Sequence, residues 1–283
     1  MTEEHLALID RVNPQDFHSA ARKLRNFFDE KGFIEVPVQH RLSILAACED
    51  PRTIGLFMYM GDTWPLPQTG QMWLEYELLT KPDSPGYYCI SYSYREEPNP
   101  IPGRHNLIFP MFEFETHGGI KVLEELEEEL LESLGFGQKT DFHKVSYRDA
   151  MERYKVQDIG AEEEKRLAEE FGRVVFLTDF PEHTSPFWNM KREAGCAKKI
   201  DVLLDGVETI GSAERSADPE QMRKNFFAIS DGMYSQILFS KFRKERVEKE
   251  LESFLSLNFF ARCGGGIGVT RLIRALKLAN LLN

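Results

Sequence analysis

The sequence predicts an α+β fold, an antiparallel sheet with helices around it. Three patterns carry that reading. Residues 87–95 and 107–115 are consecutive alternating runs, joined by a loop holding Pro98, Pro100, Pro102 and Gly103. Residues 200–204 and 207–210 flank Asp205-Gly206, a two-residue hairpin signal. Apolar residues at helical spacing mark 14–31, 121–134 and 161–171. Strands joined by hairpins pair antiparallel, because a parallel pair needs a long crossover between its members.

The elements follow in order. Pro14 to Lys31 places Phe17, Ala20, Ala21, Leu24, Phe27 and Phe28 on one helical face, and Gly32 stops the helix. Phe33 to Val36 reads as a strand, and Gly70 to Leu79 as a short helix. In the run 87–95, Tyr88, Ile90, Tyr92 and Tyr94 share one face, and Cys89, Ser91, Ser93 and Arg95 the other. On the returning strand Phe109, Met111, Glu113 and Glu115 lie together. The glutamate runs of 121–134 and 161–171 read as solvated helix faces. Val174 to Leu177 is a short apolar strand. A glycine run, 264–268 with Ile267 inside it, leads into a helix from Val269 to Leu282.

Composition bounds the function. With 283 residues, 42% hydrophobic and 29% charged, the chain has the composition of a soluble globular protein and is long enough for one large domain or two small ones. No stretch approaches the roughly 18 apolar residues of a membrane helix, and the start, Met1 to His5, is acidic, so a cytoplasmic protein with no membrane partner is expected. Lys+Arg 35 against Asp+Glu 46 gives −11, a charge that disfavours nucleic-acid backbones. Cys48, Cys89, Cys196 and Cys263 are scattered without a CxxC pair, which suggests neither a disulfide framework nor a zinc site.

Three regions could carry chemistry. A two-residue turn at Asp205-Gly206 pairs Leu203 with Glu208 and leaves Asp201 on the same face, diagonal to Glu208. Two carboxylates so placed can share a hard cation such as Mg²⁺; the same pattern also suits a solvated face with ordinary ion pairs. Arg215 lies downstream, and Lys191 and Lys198 lie upstream. In the strand pair, Arg95 with Glu96 and Glu97, the loop residues Arg104 and His105, and then Phe109 and Glu113 offer a cation, a flat ring and acids, which suits a nucleotide. Core packing with loop salt bridges reads the same residues differently. The glycine run has neither a GxxxxGK[ST] pattern nor a following βαβ unit, so close backbone approach to a ligand, with Arg271 one turn into the helix reaching an anion, fits it better than a phosphate loop. A glycine-rich bend between strand and helix is the plainer alternative.

These residues together resemble the catalytic domain of class II aminoacyl-tRNA synthetases, in the aspartyl/asparaginyl branch. Tyr94 to Glu97, Arg104-His105 and Phe109 to Glu113 resemble the second motif of that class, and Gly264 to Leu272 the third, in the version found in ammonia-dependent asparagine synthetase. Phe27 to Val36 resembles the first, dimer-forming motif, with its proline displaced to Pro37. Thr69 to Glu75 resembles the amino-acid-binding segment of asparaginyl enzymes, and Thr178 to Pro181, Phe187 to Lys191 and Asp201 to Arg215 complete a match over roughly 20–283.

The resemblance implies a single catalytic domain over 1–283 built on a class II antiparallel sheet, ATP and Mg²⁺ as cofactors, and a homodimer. It implies that Arg95 holds the ATP α-phosphate with Glu97 beside it, with Arg104 and His105 also on the nucleotide. Phe109 stacks on adenine, Arg271 covers its other side and meets the γ-phosphate, Asp201 and Glu208 bind Mg²⁺, and Thr69, Gln71, Glu113 and Arg215 line the amino-acid pocket. Several positions depart from the pattern: Leu74 replaces the lysine of aspartyl enzymes, Ile108 a glutamate, Glu214 a glutamine and Gly211 a serine metal ligand. The first motif begins near residue 24, which leaves no room before it for the anticodon-binding barrel of this branch; with the charge of −11, tRNA is not expected to be the acceptor. The implied reaction is carboxylate activation as an adenylate, followed by attack of ammonia on activated aspartate to give asparagine. A paralogue acylating another amine is the alternative, and a catalytically dead ligand-binding regulator is a third reading.

Overall fold

The computed structural model describes residues 12–38, 44, 51–99, 106–184 and 187–282. Helix α1 (Pro14–Glu30) starts where sequence rules place it: Pro14 opens it, and the Asn13 side chain accepts from the amides of Gln15 and Asp16. After β1 (Ile34–Glu35) come a hairpin of β2 (Leu56–Tyr59) and β3 (Asp62–Pro65), then α2 (Gln71–Thr80), β4 (Gly86–Tyr94), β5 (Ile108–His117) and α3 (Ile120–Leu134). Next are β6 (His143–Ser146), α4 (Tyr147–Tyr154), α5 (Ala161–Phe171), β7 (Val174–Pro181), β8 (Arg192–Glu193), β9 (Cys196–Leu204) and β10 (Val207–Glu214). Helices α6 (Pro219–Ala228), α7 (Met233–Lys241) and α8 (Lys244–Leu255) precede β11 (Arg262–Gly268) and α9 (Val269–Leu278).

The main sheet runs β1-β4-β5-β11-β10-β9-β7-β6, with β8 added to β9. Its centre is antiparallel, as the sequence predicts, but both edge pairs, β1 with β4 and β6 with β7, are parallel. The reason is connectivity: a helix-bearing crossover lies between the members of each edge pair, through α2 in one and through α4 and α5 in the other. Asp205 and Gly206 adopt φ of 48° and 74°, the left-handed pair of a tight primed hairpin.

One face of the sheet is sealed by α1, α3 and α9 over a large core. Phe28 sits within it, its ring 5.0–5.9 Å from Phe33, Tyr88, Phe112 and Phe114. The solvated-face reading of 121–134 needs correction here: Glu127 is fully buried and Glu128 nearly so, because α3 turns that flank against the sheet. On the opposite face α4 and α5 cover the β7–β9 end, and α6 to α8 pack with α2 around Trp188. Between these two blocks the middle strands are left open.

Candidate active site

Strand alternation decides which side chains reach the opening. Ser91 pairs with Met111, Ser93 with Phe109, and Cys89 with Glu113, so the polar face of β4 and the Phe109–Glu115 face of β5 are one surface. Strand β11 continues it, with Gly264 opposite Glu115, Gly266 opposite Glu113 and Gly268 opposite Met111. The glycine run is therefore a central strand, and the bend suggested as an alternative is excluded. A Cβ at Gly264 would overlap the Glu115 carboxylate and the Phe114 carbonyl and lie 2.8 Å from Gln71 Nε2; at Gly266 it would lie 2.8 Å from Met111 Cε. The missing side chains thus leave a trough above the sheet.

That trough is a cavity of about 290 Å³. It brings together Thr69, Gln71, Arg95, Phe109, Glu113, Glu208, Arg215 and Arg271, eight of the residues singled out by sequence. Glu97, half-buried two residues beyond Arg95, is outside its lining, and so is Asp201. Arg104 and His105 lie outside the described residues.

At one end the guanidinium of Arg95 lies 5.2 Å from the centroid of Phe109, and its Nε donates to Ser93 Oγ at 3.3 Å. Arg271, on the first turn of α9, donates from Nη1 to the Glu208 carbonyl at 2.7 Å and stands 3.6 Å from that residue's carboxylate. Arg95, Phe109 and Arg271 all line the cavity, with Arg95 over the ring and Arg271 held at Glu208.

The carboxylates of the β9–β10 hairpin come next. Leu203 opposes Glu208 as the turn rule requires, but a bulge at Thr209 inserts one residue, so Asp201 opposes Gly211 and not Ile210. The bulge returns Gly211 to the cavity face. A Cβ there would lie 3.0 Å from Glu208 Oε1 and 3.5 Å from Asp201 Oδ1, so both carboxylates approach the same vacant space. Asp201 Oδ1 is buried with no hydrogen-bond partner among the described residues, whereas Oδ2 accepts from Lys199 Nζ at 2.7 Å. Burial raises the Asp201 carboxyl to about 7, with Lys199 opposing and Glu208 adding to the rise. Two hard oxygen donors and an unpartnered buried oxygen suit Mg²⁺, which keeps several waters of its own. Among the described residues no cluster of three or more His, Cys, Asp or Glu is arranged for a metal.

The far end is a buried polar floor. Glu113 accepts from the Gly70 amide at 2.7 Å and from the hydroxyls of Thr69 and Ser91. Gln71 Nε2 donates to Glu115 at 2.8 Å and to the Phe114 carbonyl at 2.9 Å. Arg215 makes a two-pronged pair with Glu115, both bonds 3.2 Å, and lies 3.6 Å from Glu75. Arg262, wholly buried, holds Glu75 at 3.0 and 2.7 Å, and Asn189 donates to the other oxygen of Glu75. Burial pushes Glu115 up to about 7 against the pull of Arg215.

Some sequence candidates are held elsewhere. Alternation turns Glu214 to the opposite face, where it accepts from the Ile120 amide at 2.9 Å and from Lys191 at 2.7 Å; Lys198 pairs with Glu193 at 3.1 Å. The lysine in the cavity is Lys199, which the sequence reading passed over; Glu75 and Asn189 lie inside segments matched by resemblance but carried no assigned role. Lys199 was findable, since it lies two residues from Asp201 and so on the same strand face. Asn189 sits on an irregular stretch beside an isolated bridge of Met190 to Arg215, and no local pattern marks it.

The fold is that of a class II synthetase catalytic domain: asparaginyl-tRNA synthetase from Pyrococcus horikoshii complexed with asparaginyl-adenylate matches with a TM-score of 0.74, over 94% of this chain and 64% of that one at 21% identity. Residues 13–280 match the family tRNA synthetases class II (D, K and N), and the chain belongs to it. Among curated relatives, an aspartate–tRNA(Asp/Asn) ligase of Methanopyrus kandleri is 26% identical over 221 residues, 68% of this chain and 50% of that protein. An asparagine–tRNA ligase of Pyrococcus horikoshii is 28% identical over 157 residues, 50% of this chain and 32% of that protein. The chain thus spans half or less of the length of these relatives. Class II synthetases use ATP and Mg²⁺, the two cofactors implied by the motifs. Among the described residues no helix is long and apolar enough to cross a membrane.

Proposed function

We propose that the chain activates an amino-acid carboxylate with ATP and passes the acyl group to an amine, aspartate and ammonia giving asparagine being the first reaction to test. The observation that carries this reading is the convergence of Arg95, Phe109 and Arg271 at one end of a single cavity, with Thr69, Gln71, Glu113 and Arg215 at the other. In this reading Phe109 stacks on adenine, and Arg271 lies across the base and reaches the γ-phosphate. Arg95 holds the α-phosphate, with Glu97, Arg104 and His105 around the nucleotide. A substrate carboxylate oxygen attacks the α-phosphorus, the bond to pyrophosphate breaks, and the two arginines neutralise the charge that develops. Asp201 and Glu208 would hold Mg²⁺, which when bound draws charge from the polyphosphate. The amine nitrogen then attacks the acyl carbon, the bond to AMP breaks, and a proton leaves with solvent.

Glu113 offers a carboxylate to the substrate ammonium, and Arg215 faces the substrate's remaining polar end. One feature favours a second reading. Arg215 and Arg262 are matched in charge by Glu75 and Glu115, with Glu113 left for the substrate ammonium, which suits a neutral, asparagine-like side chain as well as an acidic one. The acceptor is then another amine or a tRNA hydroxyl. A homodimer formed through the β1 edge, where Ile34 is 50% exposed, completes the proposal and is checked by sedimentation.

AMP release from Mg·ATP, across all amino acids with and without ammonium chloride, separates these readings. Ammonium-dependent AMP and asparagine from aspartate support the first. Pyrophosphate exchange with asparagine, indifferent to ammonium, supports the second and calls for tRNA and amine acceptors to be added in turn. No exchange with any amino acid leaves the regulator.

A further inference from the structure

The carboxylates of the β9–β10 hairpin already have protein cations. Lys199 Nζ is 2.7 Å from Asp201 Oδ2, with the two side chains 16% and 10% exposed, and Arg271 stands 3.6 Å from Glu208. The Lys199 ammonium is fixed from a second side by the ring of Phe180, 4.2 Å from its centroid. Lys199 lines the cavity while Asp201, behind it, does not, so a cation arriving from the cavity meets the ammonium before the aspartate. The other oxygen, Asp201 Oδ1, is buried without a hydrogen-bond partner among the described residues.

We infer that Lys199 is a built-in cation of this site: it competes with a divalent metal for Asp201 and presents its own charge to the nucleotide's polyphosphate. The inference rests on the reading of the cavity as a nucleotide site. Its physical basis is local. An ammonium at contact distance from a carboxylate neutralises it, and a metal entering between Asp201 and Glu208 must displace that ammonium or bind against its charge. Phe180 and the short reach from Lys199 to Asp201, two residues along one strand, hold the ammonium in place. Arg95, Arg215 and Arg271 also line the cavity, so Lys199 is the fourth positive side chain around it.

The test uses Mn²⁺ alone, titrated into the whole protein and followed by electron paramagnetic resonance, and inorganic pyrophosphate in EDTA, followed by calorimetry. Lys199→Met keeps the aliphatic stem on Phe180 and removes the charge, and Lys199→Arg keeps the charge. Removing a unit opposing charge beside a ligand is expected to tighten Mn²⁺ binding at least about tenfold in Lys199→Met and to weaken metal-free pyrophosphate binding, with Lys199→Arg close to wild type in both. The gain in Mn²⁺ affinity disappears in Lys199→Met with Asp201→Asn. Should Lys199→Met not fold, Lys199→Gln is read in the same way. Unchanged or weaker Mn²⁺ binding in the charge-free variant, or a gain that survives Asp201→Asn, overturns the inference. Neither measurement needs an amino acid or turnover, so a failure of the adenylate reading, seen as absent pyrophosphate exchange in the wild type, is scored separately.

Discussion

The guanidinium of Arg95 lies over the ring of Phe109, 5.2 Å from its centroid, across the β4–β5 ladder. Adenine on that ring and a phosphate on that cation would be read by two neighbouring side chains with separable effects. Phe109→Ala is expected to raise the Kd for ATP by about 5- to 100-fold, as the loss of one base-stacking contact implies. Calorimetry with ATP measures it.

Arg95→Ala should act on the rate. Removing one charged group aimed at the reacting phosphate costs about 10²–10³ in turnover while leaving ground-state ATP affinity within a few fold. Comparing pyrophosphate exchange with equilibrium ATP binding in the same variant separates the two quantities, and equal losses in both would sink the assignment.

Gly264→Ala is expected to destabilise the protein and to disorganise the amino-acid end together. The new methyl would overlap the Glu115 carboxylate and the Phe114 carbonyl, and the backbone of a central strand cannot retreat. Overpacking of this kind costs about 1–3 kcal/mol, and more where backbone is struck. Thermal melting reads the loss, and pyrophosphate exchange in the same variant reads the damage at the amino-acid end.

Arg262→Met should be more damaging than its remoteness from the cavity mouth suggests. It leaves Glu75 buried and without its two bonds from Arg262, and breaking a buried pair by removing one member costs about 3–5 kcal/mol. Arg262→Met combined with Glu75→Gln is expected to recover part of the melting temperature.

Glu127 gives a pH signature. It is fully buried on α3, and burial pushes it from 4.5 to about 8, with the neighbouring Ser212 hydroxyl opposing the rise. The native state therefore holds a proton that the unfolded state has released, and stability falls as pH rises from 4.5 to about 8, by at most about 1.4 kcal/mol per unit, then levels off. Glu127→Gln removes that slope. Denaturant melts at pH 5, 6.5 and 8 show it as a variant that gains on the wild type with rising pH.

Period-two alternation is a local rule, and where the site depends on it alone the sequence was a sufficient guide. It placed Ser91, Ser93 and Arg95 on one face and Phe109, Met111 and Glu113 on another, and the two faces prove to be one surface. The turn at Asp205-Gly206 set the register of Leu203 against Glu208 for the same reason, since a two-residue primed turn admits one pairing. The helices of 219–255 were missed although they form much of the second core, because nothing in the strand-centred pattern pointed to them.

What the sequence by itself determined is the α+β class, the alternating faces and eight of the side chains that meet in the cavity. Tertiary structure alone decided three things. It put the glycine strand β11 between β5 and β10, a pairing between segments far apart in the chain. It inserted the bulge at Thr209 that returns Gly211 to the cavity beside Glu208 and Asp201. And it assigned partners: Arg215 to Glu115, Glu214 to the start of α3, and Lys199 to Asp201. Local rules say which way a side chain points; only the register between distant strands says what charge it meets, and that charge sets which ligand the residue can still bind.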